Sequence, residues 1–285
     1  MAIVQAFPYQ GSKRKLAPKI LEYIPMGIDT FIEPFAGSAA MTIAVSQENA
    51  KAKFIINDSY KPLADLWDLI INDTDAIVES YKKQWNDQQE DPKAYYLDTR
   101  AAFNSNPNPD QFLYLMMRAA KNAIRFNGKG EFNQFADGRR LGRKPDAMQR
   151  QLISVANLLK GRTDIFSRDY AEVLALAGPN DIVYMDPPYQ GTSTSKNPRY
   201  HQGLDLDRFI SELDKLNDRS VPFLVSFDGQ LGEKTYGEDL PEHLNLKKVL
   251  LAAGRSAQQT LNGKDEQTYE SLYISQSLLD LLGQK

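Results

Sequence analysis

The sequence contains no cysteine and only two histidines, His201 and His243. Without thiols there is no disulfide, thiolate nucleophile, iron–sulfur cluster or cysteine-based zinc site. Two histidines are too few for a multi-histidine zinc site, so the chemistry is expected to need no metal. Long apolar runs are also missing. No stretch approaches the roughly 18 uninterrupted apolar residues of a membrane span, and no membrane contact is expected. The first residues lack a continuous apolar core, and Lys13, Arg14 and Lys15 come early. No signal peptide is therefore visible, and a cytoplasmic location is expected. Glycine-rich signatures are scarce as well. The run EPFAGSAA over 33–40 is not G-x-G-x-x-G, which disfavours a dinucleotide and with it a nicotinamide dehydrogenase.

What is present is ordinary globular usage. The 285 residues are 42% hydrophobic and 25% charged, enough for one large α/β domain with an insertion or for two modest domains. The net charge of −3 is unevenly spread. Arg118 to Arg150 holds nine Lys or Arg against three acids, which leaves about −9 on the remainder. A basic segment in an otherwise acidic chain is a footprint for a polyanion, or equally a solvated basic face.

Apolar patterning predicts strands at 29–34 and 52–57, each followed by a helix, at 39–47 and 61–71. This is the opening of a parallel, doubly wound sheet. The alternation then stops for about a hundred residues. Helices are expected at 75–86, 92–103, 111–124 and 146–159, with a loop or hairpin over 125–142. It resumes with strands at 164–167, 182–185, 222–227, 246–250 and 270–275, and a helix at 206–216. The expected architecture is one α/β sheet interrupted by a mostly helical insertion.

Acids and turn residues fall where the parallel strands should end, which is where open α/β sheets bind ligands. Glu33-Pro34-Phe35-Ala36-Gly37-Ser38 follows the first strand, Asn57-Asp58 the second, and Asp186-Pro187-Pro188-Tyr189 the strand at 182–185. Gly37 would let backbone approach a ligand at the start of a helix. Asp58, 21 positions later, is spaced to accept from ribose hydroxyls. In isolation, Gly37 equally suits an ordinary tight turn and Asp58 a helix N-cap. The third motif is sharper. Two prolines fix φ and remove two N–H donors, so a carboxylate and a proline carbonyl can together accept both hydrogens of an exocyclic amine. Tyr189 adds an aromatic face for a planar base.

At this motif the chain resembles the amino-methylating DNA methyltransferases, and most the Dam-type branch (D12 class, alpha group) that methylates adenine N6. The resemblance runs in order through nearly the whole chain. It includes PYQGSKRK over 8–15, FIEPFAGS over 31–38, Asn57-Asp58, RFNGKGEFN over 125–133, DPPY over 186–189, RSAQQT over 255–260 and the final strand within 268–275. It implies a Rossmann-like methyltransferase sheet with a reversed final strand. The catalytic domain would comprise 1–60 and 161–285, and a target-recognition domain 61–160 would carry a hairpin near 122–135. The chain departs from the family at Ala39, where a second glycine is common; an alanine there is expected to hold a negative φ or bear mild strain.

The resemblance further implies S-adenosylmethionine as cofactor, S-adenosylhomocysteine as product, and double-stranded DNA as substrate. A cognate restriction endonuclease is a possible partner. Tyr9, Lys13, Glu33, Pro34, Phe35, Gly37, Ser38, Asp58 and Asp186 would form the cofactor site. Phe166 and Asp169 would flank its adenine, although Phe166 equally suits core packing. The target adenine would be flipped from the stack. Tyr189 would stack on it, Asp186 and the Pro187 carbonyl would accept its amine hydrogens, and Pro188 would complete the rigid turn. Asn122, Arg125, Asn127, Lys129, Arg139 and Arg140 would contact DNA. Arg125, Asn127 and Lys129 are candidates for the groove, with phosphate contact alone as the alternative, and Arg139 and Arg140 for phosphates or plain surface charge. RNA or protein methylation, and DNA binding without catalysis, are the competing expectations.

Overall fold

The computed structural model describes residues 3–188, 204–231, 234–235, 239–255 and 267–283. Its strands are β1 (Thr30–Glu33), β2 (Lys53–Asn57), β3 (Thr163–Phe166), β4 (Ile182–Met185), β5 (Phe223–Leu231), β6 (Lys234–Thr235), β7 (Lys247–Arg255) and β8 (Gln267–Ile274). Seven run in the order β3-β2-β1-β4-β5-β8-β7, and β6 pairs with β5 off that path. Neighbours from β3 to β5 are parallel, while β8 is antiparallel to both β5 and β7. The chain moves outward from β1 through β2 to β3, then returns to the other side of β1 as β4. That reversal opens a crevice at the carboxyl ends of β1 and β4.

The central strands β1, β4 and β5 are apolar on both faces because both are covered. Phe31, Tyr184 and Leu224 belong to one core, whereas Ile32, Val183, Met185 and Val225 belong to the other. The helices are α1 (Ala17–Ile20), α2 (Ala40–Glu48), α3 (Lys61–Asn72), α4 (Thr74–Asp87), α5 (Pro92–Ser105), α6 (Pro109–Arg118), α7 (Pro145–Leu159), α8 (Tyr170–Leu174), α9 (Leu206–Asp218) and α10 (Gln276–Gly283). Four insertion helices, α3, α5, α6 and α7, carry Pro in the first turn, where its missing N–H costs nothing. Asp91 and Asn108 cap α5 and α6 by accepting from their first amides.

The insertion packs continuously against the sheet. Phe103, Phe112, Tyr114 and Leu152 lie in the same apolar cluster as Phe31 and Ile56 of the sheet. A boundary near residue 60 therefore cuts through continuous packing.

The helix expected over 111–124 ends at Arg118. Ala119 is extended, and Lys121 and Asn122 sit at φ 60° and 50°. The cause is tertiary: Ala119 bridges to Ala136, and the Ala120 amide donates to the Phe135 carbonyl at 2.9 Å. The hairpin over 125–133 is a single antiparallel bridge, Phe126 to Phe132, rather than a ladder. Helices α1, α8 and α10 and strand β6 lie outside the elements predicted from sequence; α1, α8 and β6 have only 4, 5 and 2 residues, too few to show a period. Among the described residues, no helix is long and apolar enough to cross a membrane.

Candidate active site

The loops ending β1, β2 and β4 meet in one cleft of about 410 Å³, a size suited to a small organic ligand. Tyr9, Lys13, Glu33, Pro34, Phe35, Gly37, Ser38, Asp58, Asp169 and Asp186 all line it. Pro188 lines it too. Pro187, between Asp186 and Pro188, is buried and does not line the cleft. Tyr189 lies outside the described residues, as do 256–260 of the last motif. Phe166 is not among the lining residues; its ring packs beside the core, with the Arg168 guanidinium 4.3 Å from its centroid. The outward turn after β3 gives the cleft Ser167 to Tyr170 instead.

Glu33 ends β1 as a buried carboxyl whose Oε2 accepts from the Thr42 amide at 2.9 Å and the Thr42 hydroxyl at 2.6 Å. It satisfies a first-turn amide of α2 that the helix itself leaves open. Burial pushes its carboxyl up to about 8; the Thr42 donors oppose this and the Asp186 charge adds to it.

Gly37 has φ +49°, and a Cβ there would lie 3.2 Å from the Tyr9 ring. Its carbonyl accepts from the Trp67 indole at 2.9 Å, and its amide donates to Asp58 Oδ2 at 3.1 Å. The other oxygen of Asp58 accepts from the Tyr60 amide at 3.0 Å. Tyr60, not Asp58, is the N-cap residue of α3. Burial raises the Asp58 carboxyl, partly opposed by these two donors. Ala39 sits at φ 46°, so it bears the strain expected where a glycine is common. Ser38 donates to Ser12 Oγ at 2.8 Å, tying the β1 loop to the N-terminal motif.

Asp186 ends β4. The Lys13 ammonium lies 2.9 Å from its Oδ1 and 3.2 Å from Oε2 of Glu270, on the reversed strand. Burial pushes the Asp186 carboxyl up to about 6; Lys13 pulls it down and Glu270 pushes it up. Asp169 caps α8 and holds Arg208 through both carboxylate oxygens, at 2.6 and 2.9 Å. The Tyr170 ring lies under that guanidinium and against Phe35. Carboxylates at three strand ends, aromatic walls and one buried lysine make a site for a planar, partly cationic ligand beside an amine.

Residues 9–250 match the family described as D12 class N6 adenine-specific DNA methyltransferase. The chain belongs to that family. It is an adenine-specific DNA methyltransferase, and the family implies S-adenosylmethionine as methyl donor and DNA as substrate. The methyltransferase is 26% identical to the type II methyltransferase M.MjaIII of Methanocaldococcus jannaschii, over 96% of this chain and 98% of that one. It is 26% identical to a type II methyltransferase of Lactococcus lactis, over 90% of each chain. It is also 26% identical to the DNA adenine methylase of Escherichia coli, over 76% of this chain and 78% of that one.

The methyltransferase's basic segment divides once its burial is known. Arg118 is buried and donates to the carbonyls of Asp137 and Arg140, so it shapes the loop rather than offering charge. Lys129, Arg139 and Arg140 are exposed. Arg125 donates to Gln10 Oε1 at 3.0 Å, bringing the hairpin base to the cleft rim that Gln10, Ile124 and Phe126 line. Asn127 closes the hairpin tip: its Oδ1 accepts from the Lys129 and Glu131 amides, and its Nδ2 donates to Glu131. Asn122 donates to the Met116 carbonyl at 3.4 Å.

Sequence reasoning passed over Glu270, Thr42 and Trp67. Glu270 is the one acid of β8, and that was its only local signal.

Proposed function

We propose that this cleft binds S-adenosylmethionine against the loops of β1 and β2 and receives a flipped adenine of duplex DNA at Asp186-Pro187-Pro188-Tyr189. The observation that carries the reading is the convergence of Glu33, Asp58 and Asp186 on one cleft at the reversal of strand order. The donor set suits the cofactor: acceptors for ribose hydroxyls at Asp58, a buried carboxyl beside the cationic end at Glu33, and aromatic walls at Phe35 and Tyr170. Bound there, S-adenosylmethionine supplies an electrophilic methyl group.

The chain's own residues then align the nucleophile. Asp186 and the Pro187 carbonyl accept the two N6 hydrogens and aim the nitrogen lone pair at the methyl. Alignment and stabilisation of the positive charge developing on nitrogen lower the barrier. Tyr189 stacks on the base and offsets part of the flipping cost, about 1–3 kcal/mol per stacked base. Residues 61–160 serve target recognition. Arg125 and Lys129 reach base edges or phosphates, Arg139 and Arg140 bind phosphates, and Asn127 and Asn122 shape the hairpin and its approach. The type II names of two relatives support a role beside a restriction endonuclease, and we place that role in the cytoplasm.

The test is methyl transfer from labelled S-adenosylmethionine to duplex DNA, RNA and protein, with N6-methyladenine mapped in DNA from expressing cells. Label in RNA or protein, or in duplex positions other than adenine N6, would defeat the reading.

A further inference from the structure

Lys13 is shared. Its side chain is only 6% exposed, and its ammonium bridges Asp186 at 2.9 Å and Glu270 at 3.2 Å. One buried cation thus serves two carboxylates. Among the described residues, Glu33 of β1 and the phenol of Tyr184 on β4 also interact with Asp186 electrostatically. Glu270 pairs with Gly229 of β5 and Leu251 of β7, beside a register shift in β5/β8 between Ser226 and Gly229. Bulges of this kind re-aim a side chain near a site.

We propose that Glu270 is a positioning residue for methyl transfer: it holds Lys13 against Asp186 while sharing its charge, so that Asp186 is both ionised and basic. The inference rests on Asp186 being the acceptor for the target amine. As the N6–C bond forms and the C–S bond breaks, sulfur keeps the bond pair and nitrogen must lose one proton. Its N–H pair returns to the nitrogen as Asp186 takes that proton. A lysine devoted wholly to Asp186 would make it a poor proton acceptor. No lysine at all would leave a buried Asp186 protonated and unable to accept. Burial and Glu270 raise Asp186 to about 6 while Lys13 lowers it, which is the balance the chemistry requires.

The experiment compares single-turnover methylation of a duplex oligonucleotide across pH for the wild type, Glu270→Gln, Lys13→Met and Asp186→Asn. Carbon-13 NMR titration of labelled aspartate in the cofactor-free proteins gives a second readout. Glu270→Gln removes a negative charge, so the acid limb and the Asp186 titration should move down by about one pH unit or less. Its plateau rate should fall several-fold. Lys13→Met should move both in the opposite direction. A merely structural Glu270 would lower melting temperature or rate without moving either titration, and that result would overturn the inference. If Glu270→Gln does not fold, an unmoved Asp186 titration in Lys13→Met overturns it equally. Near-normal rates in Asp186→Asn would instead defeat the underlying reading of Asp186.

Discussion

The Gly37 amide donates to Asp58 Oδ2 at 3.1 Å, joining the loops that end β1 and β2 into one unit. Asp58 therefore organises the glycine loop as well as offering a carboxylate to a ligand. Asp58→Ala should weaken S-adenosylmethionine binding by about 1–3 kcal/mol, the range for hydrogen bonds to a charged group. Calorimetry on the folded variant measures this; unchanged affinity would rule out the ribose role.

Gly37→Ala combines two penalties. An alanine at φ +49° costs about 1–2 kcal/mol, and its Cβ would press on Tyr9 at 3.2 Å. Denaturant unfolding should reveal a loss of about that size, together with weaker cofactor binding as Tyr9 is displaced. An unaltered midpoint would mean that the loop relaxes at no cost.

Glu33 links binding to stability. Its folded pKa is raised from 4.5 to about 8, so across that window the native state holds more protons than the unfolded state. Stability should then fall as pH rises through the window. Glu33→Gln keeps a neutral side chain there and should melt above the wild type at pH 8 without cofactor. The advantage should vanish toward pH 4.5, and S-adenosylmethionine affinity should drop. A wild-type melting temperature insensitive to pH over this window, and equal to the variant's, would contradict the linkage.

Arg125 and Asn127 should behave differently on DNA. If Arg125 reads a guanine edge, Arg125→Ala should cost about 1–3 kcal/mol on the cognate duplex and little elsewhere. If it neutralises a phosphate, binding weakens on all sequences and the salt slope falls by about one. Asn127→Ala opens the hairpin tip and should weaken binding without relaxing any one position. Affinities for cognate and singly substituted duplexes at several salt concentrations separate these outcomes, with Gln10→Ala as the control for the Arg125 tether.

The strand-end acids were legible because their signal is local. A short apolar run followed by Glu33-Pro34, Asn57-Asp58 or Asp186-Pro187 marks a strand and the loop after it, and in a parallel sheet such loops share one edge. Of the expected cofactor residues, only Phe166 fails to line the cleft, because a four-residue strand does not reveal which face its last side chain takes. The helix that stops at Arg118 is shorter than its apolar pattern for a related reason. Its apolar period continues past the point where Ala119 and Ala120 bond to residues 135 and 136.

The chemistry offered at the end of each strand is already written in residue order, because the local run of residues and the fixed φ of proline settle it within a few positions. Which of these groups meet depends on the folded chain. Lys13, Asp186 and Glu270 come from segments as much as 257 residues apart, and they converge because strand order, the reversal of β8 and one register shift bring them together. It likewise withdrew Arg118 into the core and spent the Asn127 side chain on the hairpin tip. Burial and hydrogen bonding are properties of neighbours in space, and they alone determine whether a charge or an amide remains free to meet a ligand.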